Sequence, residues 1–300
     1  MDLKELKSGL ENAHSHEQRV EEIAQFFGSH SLVFGHGTDS AGGEAYWLVR
    51  HLQHWNADHW TSPPTHDHID EILEIAHLRV TERRPLAYLL GRTWFAGLEF
   101  NIDRRALIPR SPMAEIIERG FAPWISVGKG NRVLDIGTGS GCLAVSAAHY
   151  CPGILVEATD VSPDALELAE ENVKKHGFED YISLIQSDLF DAVCEKYDVI
   201  ISNPPYVPRA RLASLPAEYI EEPAVALDGG SSGLNVVNRI LRDADGFLRP
   251  GGMLFMEVGE IAQAFSRAHP KLPLTWLEFE RGGEGVFMLT REELTGYFRG

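Results

Sequence analysis

Asn203-Pro204-Pro205-Tyr206 follows directly on the run Tyr197-Asp198-Val199-Ile200-Ile201-Ser202. The β-branched run reads as a buried strand. Two prolines then end it, because each fixes φ and lacks the N–H that a sheet ladder needs. An amide that can both donate and accept, and a phenol, are thereby set in a stiff loop at the C-terminal edge of a sheet, where open α/β sheets hold their ligands. Taken alone the four residues are equally a plain strand stop, since Asn-Pro and Pro-Pro are common turn dipeptides. Their neighbours decide the matter.

Val133-Leu134-Asp135-Ile136-Gly137-Thr138-Gly139-Ser140-Gly141 is a strand running into a glycine turn and then a helix. Glycines there admit a ligand that a Cβ would keep out. A dinucleotide fold seats a pyrophosphate with the same device, but Cys142 stands where its fingerprint wants Gly or Ala. Asp135 also suits a cationic ligand better than a polyphosphate. Asp160 ends a second strand, 23 residues after Gly137, where a carboxylate can accept both ribose hydroxyls. Ser162, Pro163 and Asp164 after it make a helix start, and Lys174, Lys175 and His176 before Gly177 make its end. Gln186-Ser187-Asp188-Leu189-Phe190 puts a third carboxylate at the next strand end, where an adenine amino group could bind. Any one of these aspartates could be a turn residue; three at successive strand ends around one glycine loop point to a pocket.

The elements that must position these groups alternate from Arg132 onward. Strands are expected at 132–136, 154–159, 181–186, 197–202 and 252–258, with helices between them, the pattern of parallel βαβ units. A last pair near 274–281 and 285–290, split by Gly282-Gly283-Glu284-Gly285, should be antiparallel. Trp94 to Asp103 reads as a hairpin, and Leu107-Ile108-Pro109-Arg110-Ser111-Pro112 as a stiff loop before a helix starting near Met113. The first ~90 residues read as helical, with amphipathic segments at 18–27, 44–55 and 69–81. The division expected is a helical domain over 1–88, a hairpin connector over 89–112 and an α/β domain over 113–300. His51, His54, His59, His66 and His68 match no metal-ligand spacing and are read as solvated or capping residues, with no metal expected.

The 300 residues carry a formal charge of −17, divided as −5 over 1–110 and −12 over the remainder. That balance argues against a nucleic-acid groove, which would be basic, and favours a basic protein partner. The N-terminus lacks an apolar signal region and no stretch is long and apolar enough to span a bilayer, so a cytoplasmic protein without a membrane partner is expected. Cys142, Cys151 and Cys194, unpaired in their spacing, fit a reducing compartment. Nothing in the sequence speaks to oligomeric state.

The glycine loop with its three strand-end aspartates resembles the S-adenosylmethionine-dependent methyltransferase fold: a seven-stranded, mostly parallel, doubly wound, Rossmann-like α/β sheet, here with a smaller N-terminal helical domain. The resemblance implies S-adenosylmethionine as cofactor and S-adenosylhomocysteine as product. The positions it implies for the donor are Asp135, Gly137, Thr138, Gly139, Gly141, Asp160, Val161, Asp188, Leu189 and Asn203. Asn203 to Tyr206 resembles the motif of enzymes that methylate a planar nitrogen. Such a nitrogen is a poor nucleophile because its lone pair is delocalised. The Asn203 side-chain oxygen and the Pro204 carbonyl would accept its two N–H groups, Pro205 would keep them aimed, and Tyr206 would stack on the planar group. No general base is evident, and the proton would leave to water.

This motif is shared by protein glutamine methyltransferases and adenine-N6 enzymes of nucleic acid. Arg84-Pro85-Leu86-Ala87-Tyr88, Leu107-Ile108-Pro109-Arg110, Glu222-Pro223-Ala224-Val225-Ala226-Leu227-Asp228-Gly229-Gly230, Leu248-Arg249-Pro250-Gly251-Gly252 and Glu257-Val258-Gly259 resemble the bacterial glutamine N5-methyltransferases. The release-factor branch carries a Pro-Arg-Pro-Asp-Thr-Glu type segment where this chain has Pro109-Arg110-Ser111-Pro112-Met113-Ala114. That departure, with Phe34-Gly35-His36-Gly37-Thr38-Asp39, resembles the branch acting on the third large-subunit ribosomal protein, a basic partner. The alternatives are release-factor methylation, adenine-N6 methylation of nucleic acid, and a non-catalytic assembly factor.

Overall fold

The computed structural model describes residues 1–53, 60–65 and 67–299. His54, Trp55, His59 and His66 of the sequence reading lie outside them. The chain divides into two compact units: Met1–Thr93 with Pro216–Glu221, and Trp94–Leu215 with Glu222–Gly300.

The first unit is built on α1 (Leu3–Asn12), α2 (His16–Gly28), α3 (Ala41–Gln53), α4 (Ile69–Thr81) and the short α5 (Leu86–Leu90). Asp2 caps α1 by accepting from Lys4 N and Glu5 N while Glu5 reaches back, a complete capping box. Leu6, Leu10, Ile23, Phe27, Leu48 and Ile72 are fully buried at helical spacing. Arg79 of α4 lies in this core, donating to both Glu44 oxygens at 2.8 and 3.1 Å, to Glu218 at 3.2 Å and to the Val33 carbonyl at 2.9 Å. Glu218 arrives on a short helix some 140 residues later in the chain; its carboxylate also accepts Val33 N at 2.9 Å.

The strands β1 (Arg92–Phe95) and β2 (Leu98–Asn101) pair as a hairpin across Ala96 and Gly97, both at positive φ. α6 (Met113–Glu118) follows. Then come β3 (Arg132–Ile136), α7 (Cys142–Tyr150), β4 (Leu155–Asp160), α8 (Pro163–His176), β5 (Ile182–Gln186) and β6 (Tyr197–Ser202). After β6 lie the single turns α9 (Arg209–Leu212) and α10 (Ala217–Ile220), the second within the first unit. The chain ends with α11 (Asn235–Phe247), β7 (Leu248–Glu257), α12 (Ala262–Ala268), β8 (Thr275–Trp276), β9 (Val286–Thr290) and α13 (Arg291–Arg299).

Seven strands make one sheet in the order β5-β4-β3-β6-β7-β9-β8. β5, β4, β3, β6 and β7 are parallel neighbours, and β9 is antiparallel to both β7 and β8. Alternate residues fill two cores, as a sheet covered on both faces requires. Val133, Val199 and Phe255 join one with α6 and α7; Leu134, Ile200 and Leu254 join the other with α11 and α12. β8 is two residues long where the sequence pattern runs to eight, because Leu277 alone continues the pairing, by a bond to the Val286 carbonyl, before the 279–285 turns.

Candidate active site

The strand order reverses between β3 and β6, and ligands of doubly wound sheets sit at such a switch point. The register makes the placement concrete. Asp135 pairs with Ile201 and Ile136 with Ser202, so Gly137 and Asn203 are the first residues beyond two adjacent strand ends. Ser202 Oγ donates to the Ile136 carbonyl at 2.8 Å and joins the two exits.

The glycine loop turns on Gly137, Gly139 and Gly141, at φ +73°, +56° and +80°. A Cβ on Gly137 would meet open space, whereas one on Gly141 would lie 3.2 Å from Ala169 of α8. The first glycine thus leaves room for a ligand, and the third lets helix and loop come close. Gly137 N and Thr138 N both donate to the Thr159 carbonyl, at 2.8 and 2.9 Å. Asp160 then pins the loop: one oxygen accepts Gly139 N and the other Ser162 N, each at 2.9 Å. Burial pushes its carboxyl up, the three facing amides opposing.

Asp135 lies behind the loop, fully buried. Thr138 Oγ1 donates to its Oδ2 at 2.6 Å, and Oδ1 completes no hydrogen bond. Burial, with the neighbouring charge of Asp160 adding to it and Thr138 opposing, pushes its carboxyl up to about 7. Asp188 is held differently from its neighbours. Arg239 of α11 grips it bidentately at 3.0 and 2.9 Å, so the carboxylate expected near an adenine already carries a cation.

A cavity of ≈ 420 Å³ opens over these strand ends, within the ordinary range of small-molecule sites. Gly137, Thr138, Gly139, Asp160, Val161, Asp188, Leu189, Asn203 and Pro205 line it; Asp135, Gly141, Pro204 and Tyr206 stand outside its lining. Tyr206, the ring expected to stack on the acceptor, is anchored at its hydroxyl. Its hydroxyl donates to Glu257 Oε1 at 2.8 Å, and a Cβ on Gly259 would sit 2.7 Å from its ring.

Several lining residues carried no assigned role in the sequence reading. Leu107, Pro109, Arg110 and Ser111 form one wall, and Pro223 to Ala226 another. Glu222, 4% exposed, ties the two, clamping Arg110 with two bonds of 2.6 Å and accepting Ile108 N at 3.1 Å. Arg239 carried no signal in the sequence. The cationic wall residues are matched: Arg105 by Asp103 and Glu171, Arg110 by Glu222 and Arg239 by Asp188. What the cavity offers a ligand is the strand-end carboxylates Asp160 and Asp188, the Thr138 side chain that buried Asp135 holds from behind, and an open glycine edge. That donor set fits the ammonium, sulfonium and ribose of S-adenosylmethionine. Among the described residues no cluster could hold a metal ion.

A seven-stranded doubly wound sheet with antiparallel β9 set between β7 and β8, and a switch-point pocket edged by carboxylates, is the arrangement of S-adenosylmethionine-dependent methyltransferases. Comparison with known proteins narrows the class. Residues 121–230 match the family "Methyltransferase small domain". The ribosomal protein uL3 glutamine methyltransferase of Bordetella pertussis is 44% identical over 271 residues, 88% of this chain and 90% of that one. The enzyme of the same name from Neisseria gonorrhoeae is 40% identical over 275 residues, covering 90% and 92%. The hMettl16 catalytic domain in complex with MAT2A 3'UTR hairpin 1 superposes with a TM-score of 0.50 at 19% identity, over 82% of this chain and 87% of that one, a likeness of fold. The chain belongs to the ribosomal protein uL3 glutamine methyltransferase family.

Proposed function

We propose that this enzyme transfers a methyl group from S-adenosylmethionine to the side-chain amide nitrogen of a glutamine in ribosomal protein uL3. The observation that carries the reading is the register of β3 and β6, which sets the open glycine and the Asn203 amide side by side at the switch point. S-adenosylmethionine supplies an electrophilic methyl on a sulfonium. The chain's own task is to present the acceptor nitrogen to it. Asn203 Oδ1 and the Pro204 carbonyl accept the two N–H groups of the glutamine amide, orienting its nitrogen and bearing the charge that develops there. Pro204 and Pro205 fix their own φ and Pro204 restricts Asn203 to extended backbone, so little reorganisation remains at the moment of transfer. The proton leaves to water once nitrogen has become cationic. Tyr206 acts from behind this pair, through its bond to Glu257. The helical first unit is the part we assign to recognition of the protein substrate.

No described helix is long and apolar enough to cross a membrane, and the −17 charge suits a basic substrate. The test is methylation of purified uL3 and of purified release factor with radiolabelled donor, followed by mass spectrometry of the labelled peptide. N5-methylglutamine on uL3 is expected; label on release factor alone refutes the substrate. Asn203→Ala should lower kcat by ~10²–10³-fold, a loss much larger than any accompanying loss of donor affinity. Transfer at the wild-type rate would remove Asn203 from the mechanism.

A further inference from the structure

Glu257 ends β7 one strand over from Asn203, in a register that pairs Met256 with Ser202. It is 4% exposed, and both its oxygens are engaged. Oε1 accepts the Tyr206 hydroxyl at 2.8 Å and Oε2 accepts Ser111 Oγ at 2.5 Å. Its carboxyl is pushed up by burial, with Ser111, Tyr206 and Arg110 opposing. A buried carboxylate held by two neutral hydroxyls is a costly way to fill a core position. What it gains is connection between two segments far apart in sequence.

Both donors belong to segments that wall the cavity. Ser111 lines it, and the same hydroxyl oxygen accepts Met113 N at 3.2 Å where α6 begins. Tyr206 is the last residue of the Asn203 loop, and its surroundings leave it little freedom. A Cβ on Gly229 would lie 2.7 Å from the Tyr206 Cα, and one on Gly233 would lie 2.3 Å from its carbonyl oxygen. The Tyr206 backbone is therefore boxed by glycines and its hydroxyl is tied to a single carboxylate.

We infer that Glu257 is a positioning residue for methyl transfer: by holding Tyr206 and Ser111 on one buried carboxylate, it sets the Asn203–Tyr206 loop against the Pro109–Ser111 wall. The inference rests on the methyl-transfer reading and deepens it, since it names what keeps the Asn203 and Pro204 acceptors in place. Glu257 acts through Tyr206 and need touch neither donor nor acceptor. Misplacement of an acceptor by about 1 Å is enough to cost ~10²-fold in rate.

The experiment has two arms. In the kinetic arm, Glu257→Leu is expected to lower kcat for labelling of uL3 by ~10²-fold with KM for S-adenosylmethionine within about threefold. Glu257→Gln, which keeps one acceptor, should fall between it and wild type. Tyr206→Phe should slow the wild-type enzyme and add nothing in the Glu257→Leu background; multiplicative losses would overturn the inference. The second arm needs no substrate. Hydrogen exchange in Glu257→Gln and Glu257→Leu should quicken in peptides covering 203–208 and 109–115 together, with α8 unchanged. Unchanged exchange in both segments overturns the positioning role whatever the substrate is. Quickened exchange in an enzyme that leaves uL3 unlabelled overturns the substrate and upholds the positioning role. If Glu257→Leu does not fold, Glu257→Gln carries both arms.

Discussion

At the scale of single residues, the three strand-end aspartates look alike in sequence and differ in the fold. Asp160 spends its oxygens on two loop amides, Asp188 is neutralised by Arg239, and Asp135 has one full hydrogen bond, from Thr138, with the Ala144 amide as its other favourable neighbour. The Asp135 carboxyl, pushed up to about 7 by burial, therefore opposes folding wherever it is ionised. For a carboxyl raised above its unfolded value of 3.8 the favourable state is the protonated one. The penalty is absent below the unfolded value, grows as pH rises from about 4 to 7, and is complete above 7. Asp135→Asn should thus raise the unfolding free energy at pH 8, by no more than ~4 kcal/mol, with the gain shrinking toward pH 4; any loss of S-adenosylmethionine affinity should come through Thr138, which Asp135 holds at the cavity wall. Denaturant melts at pH 5 and 8 with calorimetric titration of the donor decide it; a variant less stable at pH 8 would show the charge to be compensated. The aspartates were legible because strand ends and glycine loops have sequence signatures. The pairings of Arg239 with Asp188 and of Glu257 with Tyr206 and Ser111 were not, because a partner from a later element is set by how helices and strands stack, which no local pattern records.

The elements that were easiest to read are those fixed by local chemistry. α8 begins on Ser162 as N-cap with Pro163 next and ends on Gly177 at φ +70°, and α4 spans 69–81 as its periodicity requires. The strands from 132 to 202 fall within a residue of their expected bounds. β8 is the counterexample: its apolar run promised a longer strand, but the loop after Leu277 leaves the sheet. The tie between elements was likewise invisible. Asn172, fully buried in α8, accepts Asn101 N at 2.7 Å and donates to the carbonyls of Asn101 and Ser140 at 3.0 and 2.9 Å. One amide therefore fixes hairpin strand β2 and the glycine loop to the same helix. Asn172→Ala strands one donor and two acceptors, at about 1 kcal/mol each, so a loss of about 3 kcal/mol is expected in urea unfolding. Because Ser140 is freed with it, donor affinity should fall severalfold. Full stability in Asn172→Ala would mean that water replaces the amide at all three groups.

For the whole molecule, the sequence suggested a helical segment followed by an α/β segment, and the chain is less simply divided. Residues 216–221 leave the second unit for the first, where Glu218 is buried on Arg79. The excursion starts just after the Asn203 loop and closes where Val207 N bonds the Leu227 carbonyl and Gly229 N bonds the Val207 carbonyl, each at 2.9 Å. Such a return is not legible in sequence, since a charged residue in a loop reads as solvated until its distant arginine is known. The net charge, by contrast, is fully legible and makes a prediction about encounter. A protein of formal charge −17 attracts a basic substrate over a range set by the Debye length, ~30 Å at 0.01 M salt and ~10 Å at 0.1 M. Steering of this kind acts on association, so it appears in kcat/KM rather than in kcat. With uL3 as substrate, kcat/KM should fall at least about fivefold between ~0.02 and ~0.3 M salt. The kcat should hold within about twofold. Donor affinity should change little over the same range, because S-adenosylmethionine is read at short distance inside the cavity. Stopped-flow association of labelled uL3 at the two salt concentrations separates the terms. An association rate indifferent to salt would assign the acidity to solubility alone and leave recognition to the contacts of the first unit.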